Sequence, residues 1–551
     1  MKRIAALLLT LVLVIGLCAC GNTNTNQNTN TDPGTNQSGT NTNQNTNQNQ
    51  NTNTNTPSQQ GNAELPTTLH VGLSSEPASL DPQNTGFNGG ISMTGSFIYD
   101  TLLSWNSDTN TVEPNVITEW EWTDDVTLKV KIRNDIVSHD GYPITTEDVA
   151  YMFERGCACT GLSRYYSDFD PAKCEIINDY EMKIGLKNPS PSALTNMTLI
   201  SFAVQSKKGF EAAGGTDVVA LSAPSATGRY VLKEWMKGNQ AVLVRNENYW
   251  GEPAPYETVT IKYLTDASSR LMALQSGDVD AIDRIAASEA TLVENDPKLT
   301  LYEQTNVQNM YGVYLNCAHA PLDNAKVRKA MSMAVNRDAL LKSVFFGRGT
   351  VSNGIFTEGF PLYSAPASGE EFVYDMEGAK KLLEEAGYGD GFEMTIITSQ
   401  TQAYLDIAQF CQAAWGPLNI KVNIASSDSA TFFSNKNAGE YDAYVLAATG
   451  VNYVNFAKDY DNRLDYARSG STQFNPYDEA AFHGYIDILY KSLNSAEYLP
   501  AAAAVQSVIR AEAPSISLVN TSALFATKTS VAGVKTTCMG ESNFSGLYPV
   551  A

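Results

Sequence analysis

The stretch from Asn22 to about Asn62 is built almost entirely of Asn, Thr, Gln, Gly and Ser, and this limits where a fold can begin. A segment without apolar side chains has nothing to bury and cannot offset the entropy cost of folding, so it is expected to stay disordered. The folded body therefore starts after it. Roughly 490 residues remain, too many for one simple core, which predicts two or three packed lobes.

An export signal is indicated by the residues that come before this segment. Lys2 and Arg3 precede an apolar run from Ile4 to Leu17. A basic head followed by a short apolar run is typical of a secretory signal, and the run is too short for a permanent spanning helix.

A lipid attachment site is indicated where the apolar run ends. The residues before Cys20 have the large-x-small-Cys order of a bacterial lipobox, whereas Cys18 fits worse because Leu17 would occupy the small position. We expect residues 1–19 to be cleaved as a lipoprotein signal peptide, Cys20 to carry lipid, and residues 20–62 to act as a tether. The alternative is an ordinary secreted protein with a low-complexity head.

The charge balance excludes some partners. The formal net charge is -22 and the sequence pI is about 4.6. Nucleic acid needs a basic face, so no nucleic-acid partner is expected, and broad binding to anionic lipid is equally disfavoured. Solubility outside the cell explains such a charge.

The cysteines leave two readings open. Cys157-x-Cys159 together with Cys174 could supply one local disulfide in an oxidising compartment. Zinc is disfavoured because the spacing is not CxxC and no second pair or His cluster accompanies it. Buried free thiols are the alternative, especially for Cys317, Cys411 and Cys538.

Alternating strand and helix patterns predict an α/β body. Leu128, Val130 and Ile132 alternate with basic residues, which is typical of a strand with one wet face. Thr145 is expected to begin a helix, and the range 325–346 is predicted as one long helix. Helices covering mixed sheets account for this alternation.

A family resemblance is carried by a set of short motifs that occur in a fixed order along the body. They are Glu76-Pro77-x-x-Leu80-Asp81-Pro82, Tyr99-Asp100-x-Leu102-Leu103, His139-Asp140-Gly141-x-Pro143-x-Thr145-x-Glu147-Asp148-Val149, Thr227-Gly228-x-Tyr230, Asn246-x-x-Tyr249-Trp250, Leu274-x-x-Gly277-x-x-Asp280, Asn316, Pro321, Val327-Arg328-x-Ala330, Ala334-x-x-Arg337 and Asp375-x-x-x-Ala379-Lys380-x-Leu382-Leu383-x-x-Ala386-Gly387-Tyr388. The ordered set resembles the extracytoplasmic solute-binding proteins of ABC importers, family 5, the oligopeptide, dipeptide and nickel-binding type.

The resemblance implies a periplasmic-binding-protein-like fold with two lobes (type II, cluster C), an extra domain, and mixed sheets flanked by helices. The first lobe would combine residues 65–103, 226–316 and 511–551. The extra domain would be 104–225 and the second lobe 317–510. Two lobes joined by a few crossing strands can hinge, and a ligand bridges the closed form.

The resemblance also implies where a ligand lies. In peptide-binding members, an acidic residue after a Gly-Trp segment of the second lobe holds the peptide's amino terminus. Here that segment is 449–456, in which Val451 replaces Trp and no Asp or Glu stands. Asp459 and Asp461 are the alternative acidic residues if the loop is longer. Because amide side chains cannot neutralise an ammonium, a sugar or a blocked peptide competes with a free-amine peptide.

Three segments are expected to supply the ligand contacts: the loop after the first strand, the loop after the strand at Asp280, and the segment 449–456. The predicted ligand-binding residues are Asn84, Thr85, Phe87, Asp283, Arg284, Thr449, Gly450, Val451, Asn452, Tyr453 and Asn455. Tyr311, Tyr453 and Tyr460 could stack on a ligand, although packing is the more ordinary role for each.

Catalysis is not expected, and neither is a cofactor or a metal. The sequence contains no Gly-x-Ser-x-Gly, His-Glu-x-x-His or Gly-x-x-x-x-Gly-Lys motif, and its four His are scattered. The predicted function is capture of an oligopeptide outside the cytoplasmic membrane, as a monomer, for delivery to ABC permease subunits. Oligosaccharide, nickel-chelate, sensor or adhesin, and extracellular hydrolase readings remain as alternatives.

Overall fold

The computed structural model describes residues 67–84, 89–305, 309–356, 358, 362–370, 372–449 and 479–550. The predicted signal peptide, Cys20 and the Asn/Thr-rich segment lie outside the described residues. Within the described part, no helix combines the length and the apolar character needed to cross a bilayer.

The first sheet has seven strands, and its central strand is the alternating segment Thr68–Leu73. This strand runs parallel to both of its neighbours, and its residues Leu69, Val71 and Leu73 are buried. The strand order is Leu299–Gln304, Ala523–Lys528, Ala281–Ile282, Thr68–Leu73, Thr258–Tyr263, Gln240–Arg245 and Tyr230–Met236.

The second sheet has six strands and its own apolar core. Strand Phe392–Ser399 pairs in parallel with both neighbours, and Trp415 is fully buried beneath the sheet with its indole N–H donating to the Met331 carbonyl at 2.8 Å. The strand order is Thr350–Val351, Ser515–Asn520, Asn309–Leu315, Ala443–Thr449, Phe392–Ser399 and Ile420–Ser427.

A third, antiparallel sheet has the order Ile117–Asp124, Thr127–Ile132, Glu181–Gly185 and Glu175–Asn178. As predicted, Leu128, Val130 and Ile132 are buried and their neighbours are not. Two-stranded ladders pair Leu103–Asn106 with Thr111–Pro114, Val531–Ala532 with Tyr548–Pro549, and Lys535–Thr536 with Ser542–Asn543.

Helices cover these sheets, so the body is the mixed α/β structure that the sequence predicts. The α-helices are Gly89–Ile98, Thr146–Ala158, Ser163–Tyr166, Ala193–Asn196, Lys207–Ala212, Thr216–Ser222, Ala267–Ser276, Ala290–Glu294, Ala325–Met333, Arg337–Val344, Met376–Glu385, Gln402–Trp415, Ser429–Ala438, Glu479–Lys491 and Ser495–Glu512.

One predicted helix is wrong as a single element. The range 325–346 divides into Ala325–Met333 and Arg337–Val344, because the Asn336 side chain caps the second helix by accepting from the Ala339 N–H at 2.9 Å. Arg337 is then buried, and its guanidinium donates to the Ser517 carbonyl at 2.7 Å. The break therefore anchors the helix pair to the second sheet.

The chain passes between the first and second sheets twice among the described residues. It does so between Gln304 and Asn309, and again between Asn520 and Ala523. Both crossings lie within segments 226–316 and 511–551, which the sequence assigns to the first lobe. The two crossings are bonded together. The Asn309 N–H donates to Asn520 Oδ1 at 2.7 Å, Asn309 Nδ2 donates to Thr521 Oγ1 at 2.7 Å, and the Thr521 N–H donates to the Asn309 carbonyl at 3.1 Å.

Of the two readings that the sequence left open for the cysteines, the structure has the free thiols and not the local disulfide. Cys157, Cys159 and Cys174 are free thiols, as are the buried Cys317, Cys411 and Cys538. Burial raises the pKa of the Cys157 thiol to about 11. A thiol that stays protonated is a poor nucleophile, so Cys157 acts as a small packing group.

Candidate functional site

A cavity of about 730 Å3 is lined by residues of both large sheets, next to the crossings. Arg284 and Phe525 belong to the first-sheet side, Tyr311 and Ala447 belong to the second sheet, and Tyr165 comes from the part of the chain that carries the third sheet. This volume lies within the usual range for a small-molecule site. The cavity is therefore the candidate site.

Arg284 is the predicted site residue that the structure places in the cavity wall. It follows strand Ala281–Ile282 and has a left-handed backbone, with φ +47°. That conformation costs a non-glycine residue on the order of 1 kcal/mol. The buried Arg270 offsets this, since its Nη2 donates to the Arg284 carbonyl at 2.8 Å and its Nε donates to the Asp283 carbonyl at 3.2 Å.

Asp283, the other predicted residue of this loop, lies beneath the wall. Its carboxylate accepts from the Ser74 N–H at 2.7 Å and from the Ser74 hydroxyl at 2.5 Å, and Arg270 Nε lies 3.7 Å away. Burial raises the pKa of Asp283, while these donors and the Arg270 charge oppose the rise. Asp283 therefore supports the loop and does not face a ligand.

Glu541 is a cavity residue that the sequence reasoning missed. It stands at the end of the turn before strand Ser542–Asn543, where its N–H donates to Thr537 Oγ1 at 3.2 Å. Its Oε1 lies 3.7 Å from Arg284 Nη2. Burial raises the pKa of the Glu541 carboxyl, and a hydrogen bond from Ser92 and the Arg284 charge oppose the rise. No local sequence pattern distinguishes Glu541 from the other glutamates of the chain.

An aromatic wall completes the described part of the cavity. The Tyr311 ring lies 4.8 Å from the Phe345 ring and 5.9 Å from the Tyr404 ring, between centroids. Burial raises the pKa of Tyr311 to about 12, so its phenol stays neutral. The cavity thus combines charged side chains with a flat apolar surface.

Arg348 also lines the cavity, and it joins the two large sheets through ion pairs. It lies two residues before strand Thr350–Val351 of the second sheet, yet its guanidinium lies 2.6 Å from Glu294 and 2.9 Å from Glu303 on the first-sheet side. Both pairings raise the pKa of Arg348. Its charge is therefore already matched within the protein.

Of the remaining predicted residues, Asn84 and Thr449 are described by the structure and the others are not. Asn84 is exposed, with its N–H donating to the Asp81 carbonyl at 3.2 Å, and it does not line the cavity. Thr449 ends strand Ala443–Thr449 opposite Asn309, which does line it. Outside the described residues lie Thr85, Phe87, Gly450, Val451, Asn452, Tyr453 and Asn455, together with Asp459, Tyr460 and Asp461.

A comparison with known protein families identifies the family of this chain. A family model described as bacterial extracellular solute-binding proteins, family 5 middle, matches residues 111–468. The chain belongs to this family. The resemblance carried by the motifs is thereby confirmed, and this family 5 protein is an extracytoplasmic solute-binding receptor of an ABC importer and not an enzyme.

Individual relatives of this family 5 protein are distant in sequence. Heme-binding protein A of Haemophilus influenzae is 24% identical over 421 residues, covering 72% of this chain and 76% of the relative. Glutathione-binding protein GsiB of Salmonella paratyphi A is 28% identical over 364 residues, covering 65% and 69%.

A solved structure confirms the fold. The dipeptide-binding protein from Pseudoalteromonas sp. SM9913, in complex with Met-Leu, matches with a TM-score of 0.72 at 20% identity, covering 88% of this chain and 100% of that chain. The predicted periplasmic-binding-protein-like fold is therefore correct.

Proposed function

We propose that this family 5 protein is a lipid-anchored monomer on the outer face of the cytoplasmic membrane that captures an oligopeptide and delivers it to ABC permease subunits. The observation that carries the proposal is the cavity lined by both large sheets beside the only two crossings among the described residues. Two bodies joined at one edge can close on a solute between them, and the closed form is the state that a permease would recognise.

A peptide suits the described walls of the cavity. Arg284 and Glu541 offer opposite charges, and Tyr311 with Tyr404 offers flat apolar surface for side chains. The loops at residues 84–87 and 449–455 are proposed as further contacts. Among the relatives, one is named for glutathione, itself a tripeptide, and one solved structure holds Met-Leu.

An oligosaccharide is the second candidate, and one sequence observation favours it. The segment 449–456 carries no Asp or Glu, while Asn452 and Asn455 supply neutral amide groups. Amides hydrogen-bond sugar hydroxyls well but cannot neutralise a peptide ammonium.

The ligand class is tested by screening the detergent-solubilised mature protein against a pool of di- to hexapeptides and a pool of neutral oligosaccharides. We expect the peptide pool to raise the melting temperature by roughly 2–4 °C at saturating concentration, because a ligand that binds only the folded state stabilises it. Native mass spectrometry should then show the bound peptide at unchanged mass. A shift with oligosaccharides alone would replace the peptide assignment, and a cleaved peptide would contradict a receptor role.

The lipid anchor is tested by metabolic labelling with a fatty acid. The variant Cys20→Ala is expected to lose the label completely and to appear in the culture medium or periplasm, because the acceptor thiol is gone. The matched control Cys18→Ala removes a neighbouring cysteine of the same segment and should keep the label. Equal labelling of both variants would contradict attachment at Cys20.

A further inference from the structure

Four charged groups meet at one side of the cavity, and they differ in how far solvent reaches them. The exposed fraction of the side chain is 0% for Asp283, 4% for Arg270, 10% for Glu541 and 58% for Arg284. The group that a ligand entering the cavity meets in this cluster is therefore a cation, although the cluster as a whole holds two charges of each sign.

The Arg284 guanidinium is near two carboxylates without being hydrogen-bonded to either. Its Nη2 lies 3.7 Å from Glu541 Oε1 and its Nε lies 3.9 Å from Asp283 Oδ2. Hydrogen bonds from nitrogen to oxygen are shorter, at about 2.7–3.2 Å. The planar fork of N–H donors, whose geometry matches a carboxylate, is not used by these two neighbours.

The loop holds this guanidinium in a fixed place. Arg270 bonds the carbonyls of residues 283 and 284, and on the following residue the Ile285 N–H donates to the Leu524 carbonyl at 3.1 Å. The left-handed backbone at Arg284 is therefore clamped from both sides. A side chain on a clamped backbone loses little conformational freedom when it binds, which favours tight and specific recognition.

We propose that Arg284 binds a carboxylate of the captured solute, so that the cavity selects anionic solutes, and among peptides those with a free carboxyl terminus. This rests on the proposed function of peptide capture and specifies its chemistry. It also accounts for the lack of an acidic residue in the segment 449–456, because recognition would be made at the anionic end of the ligand.

The test compares one pool of di- to hexapeptides with free carboxyl termini and the same pool with terminal amides. Calorimetric titration of the detergent-solubilised mature protein is expected to show at least tenfold weaker binding of the amides. The variant Arg284→Gln should weaken binding of the free acids by about 10- to 100-fold, which is the contribution expected of hydrogen bonds to charged groups. It should also remove the preference for free acids over amides. Arg284→Lys should keep part of it, because the charge remains and the fork is lost.

Two further measurements make the outcome decisive. Arg245→Gln removes another first-sheet arginine that pairs with Glu247 at 3.1 Å and Glu257 at 3.6 Å but does not line the cavity, and it should leave binding unchanged. Because Arg284 is largely exposed, its variants should fold, and circular dichroism should show wild-type secondary structure with only a small fall in the unliganded melting temperature from the loss of the ion pairs to Asp283 and Glu541. Equal binding of acids and amides by wild type, or an intact preference in Arg284→Gln, would overturn this inference and leave peptide capture standing. Binding of neither pool would overturn both.

Discussion

Asp81→Ala is expected to lower the free energy of unfolding by about 3 kcal/mol, because it leaves the largely buried Arg155 guanidinium without its counter-charge. Asp81 is fully buried, and Arg155 donates to its two oxygens at 3.1 and 2.5 Å. Gln205 Nε2 adds a third bond at 3.2 Å. This pair joins the Leu80-Asp81-Pro82 motif to helix Thr146–Ala158, so its loss should weaken the contact between the part that carries the third sheet and the part that carries the first sheet.

The matched control is Asp135→Ala, which removes a carboxylate from an exposed pair. Arg133 Nη2 lies 2.6 Å from Asp135 Oδ2, so the contact is as short as the buried one. Exposed pairs are worth about 0–1 kcal/mol, and we expect a loss within that range. Urea denaturation followed by circular dichroism measures both variants. Similar losses in the two would show that burial is not what makes the Asp81 pair important.

Gly349→Ala is expected to cost roughly 2–4 kcal/mol, the second large effect. The backbone at Gly349 has φ +127°, and a Cβ there would lie 2.2 Å from the Asn520 carbonyl oxygen and 2.9 Å from Thr521 Cα. Both neighbours are backbone atoms of a crossing, so they cannot turn aside as a side chain would. The cost of backbone strain and the cost of overpacking therefore add to each other in Gly349→Ala.

Gly347→Ala provides the comparison within the same loop. Gly347 also has a left-handed backbone, with φ +77°, but a Cβ there would have no atom within 4 Å. Its cost is limited to the conformational preference, about 1 kcal/mol. Denaturant midpoints of the two variants separate the contributions, and an equal loss for both would mean that contact with the crossing carries no cost.

Local structure could be predicted where neighbouring residues decide it. The strand at 127–132 follows from alternation alone, and the helix after Thr145 follows from a capping box in which the Thr145 N–H donates to Asp148 at 2.7 Å. The break at Asn336 was not predicted, since the surrounding apolar pattern continues across it. The break combines the Asn336 cap with the burial of Arg337 against a strand that lies 180 residues further along the chain.

The site was predictable only in part, for the same reason. Asp283 and Arg284 are adjacent in sequence and both are predicted ligand contacts, yet Asp283 supports the loop and Arg284 faces the cavity. Their roles separate because Arg270 and Ser74 bind the loop from two distant segments. Glu541 comes beside Arg284 through packing of a carboxyl-terminal hairpin, and nothing in its sequence neighbourhood indicates that position.

The hydrogen bonds between Asn309 and the Asn520-Thr521 pair limit how the molecule can move. If each crossing turned separately, these three bonds would break, at about 1 kcal/mol apiece. Separate torsion of the two crossings is therefore disfavoured, and we expect the two sheets to move relative to each other mainly by rotation about a line through both. We therefore expect the closed form to present the two lobes to a permease in a reproducible relative orientation.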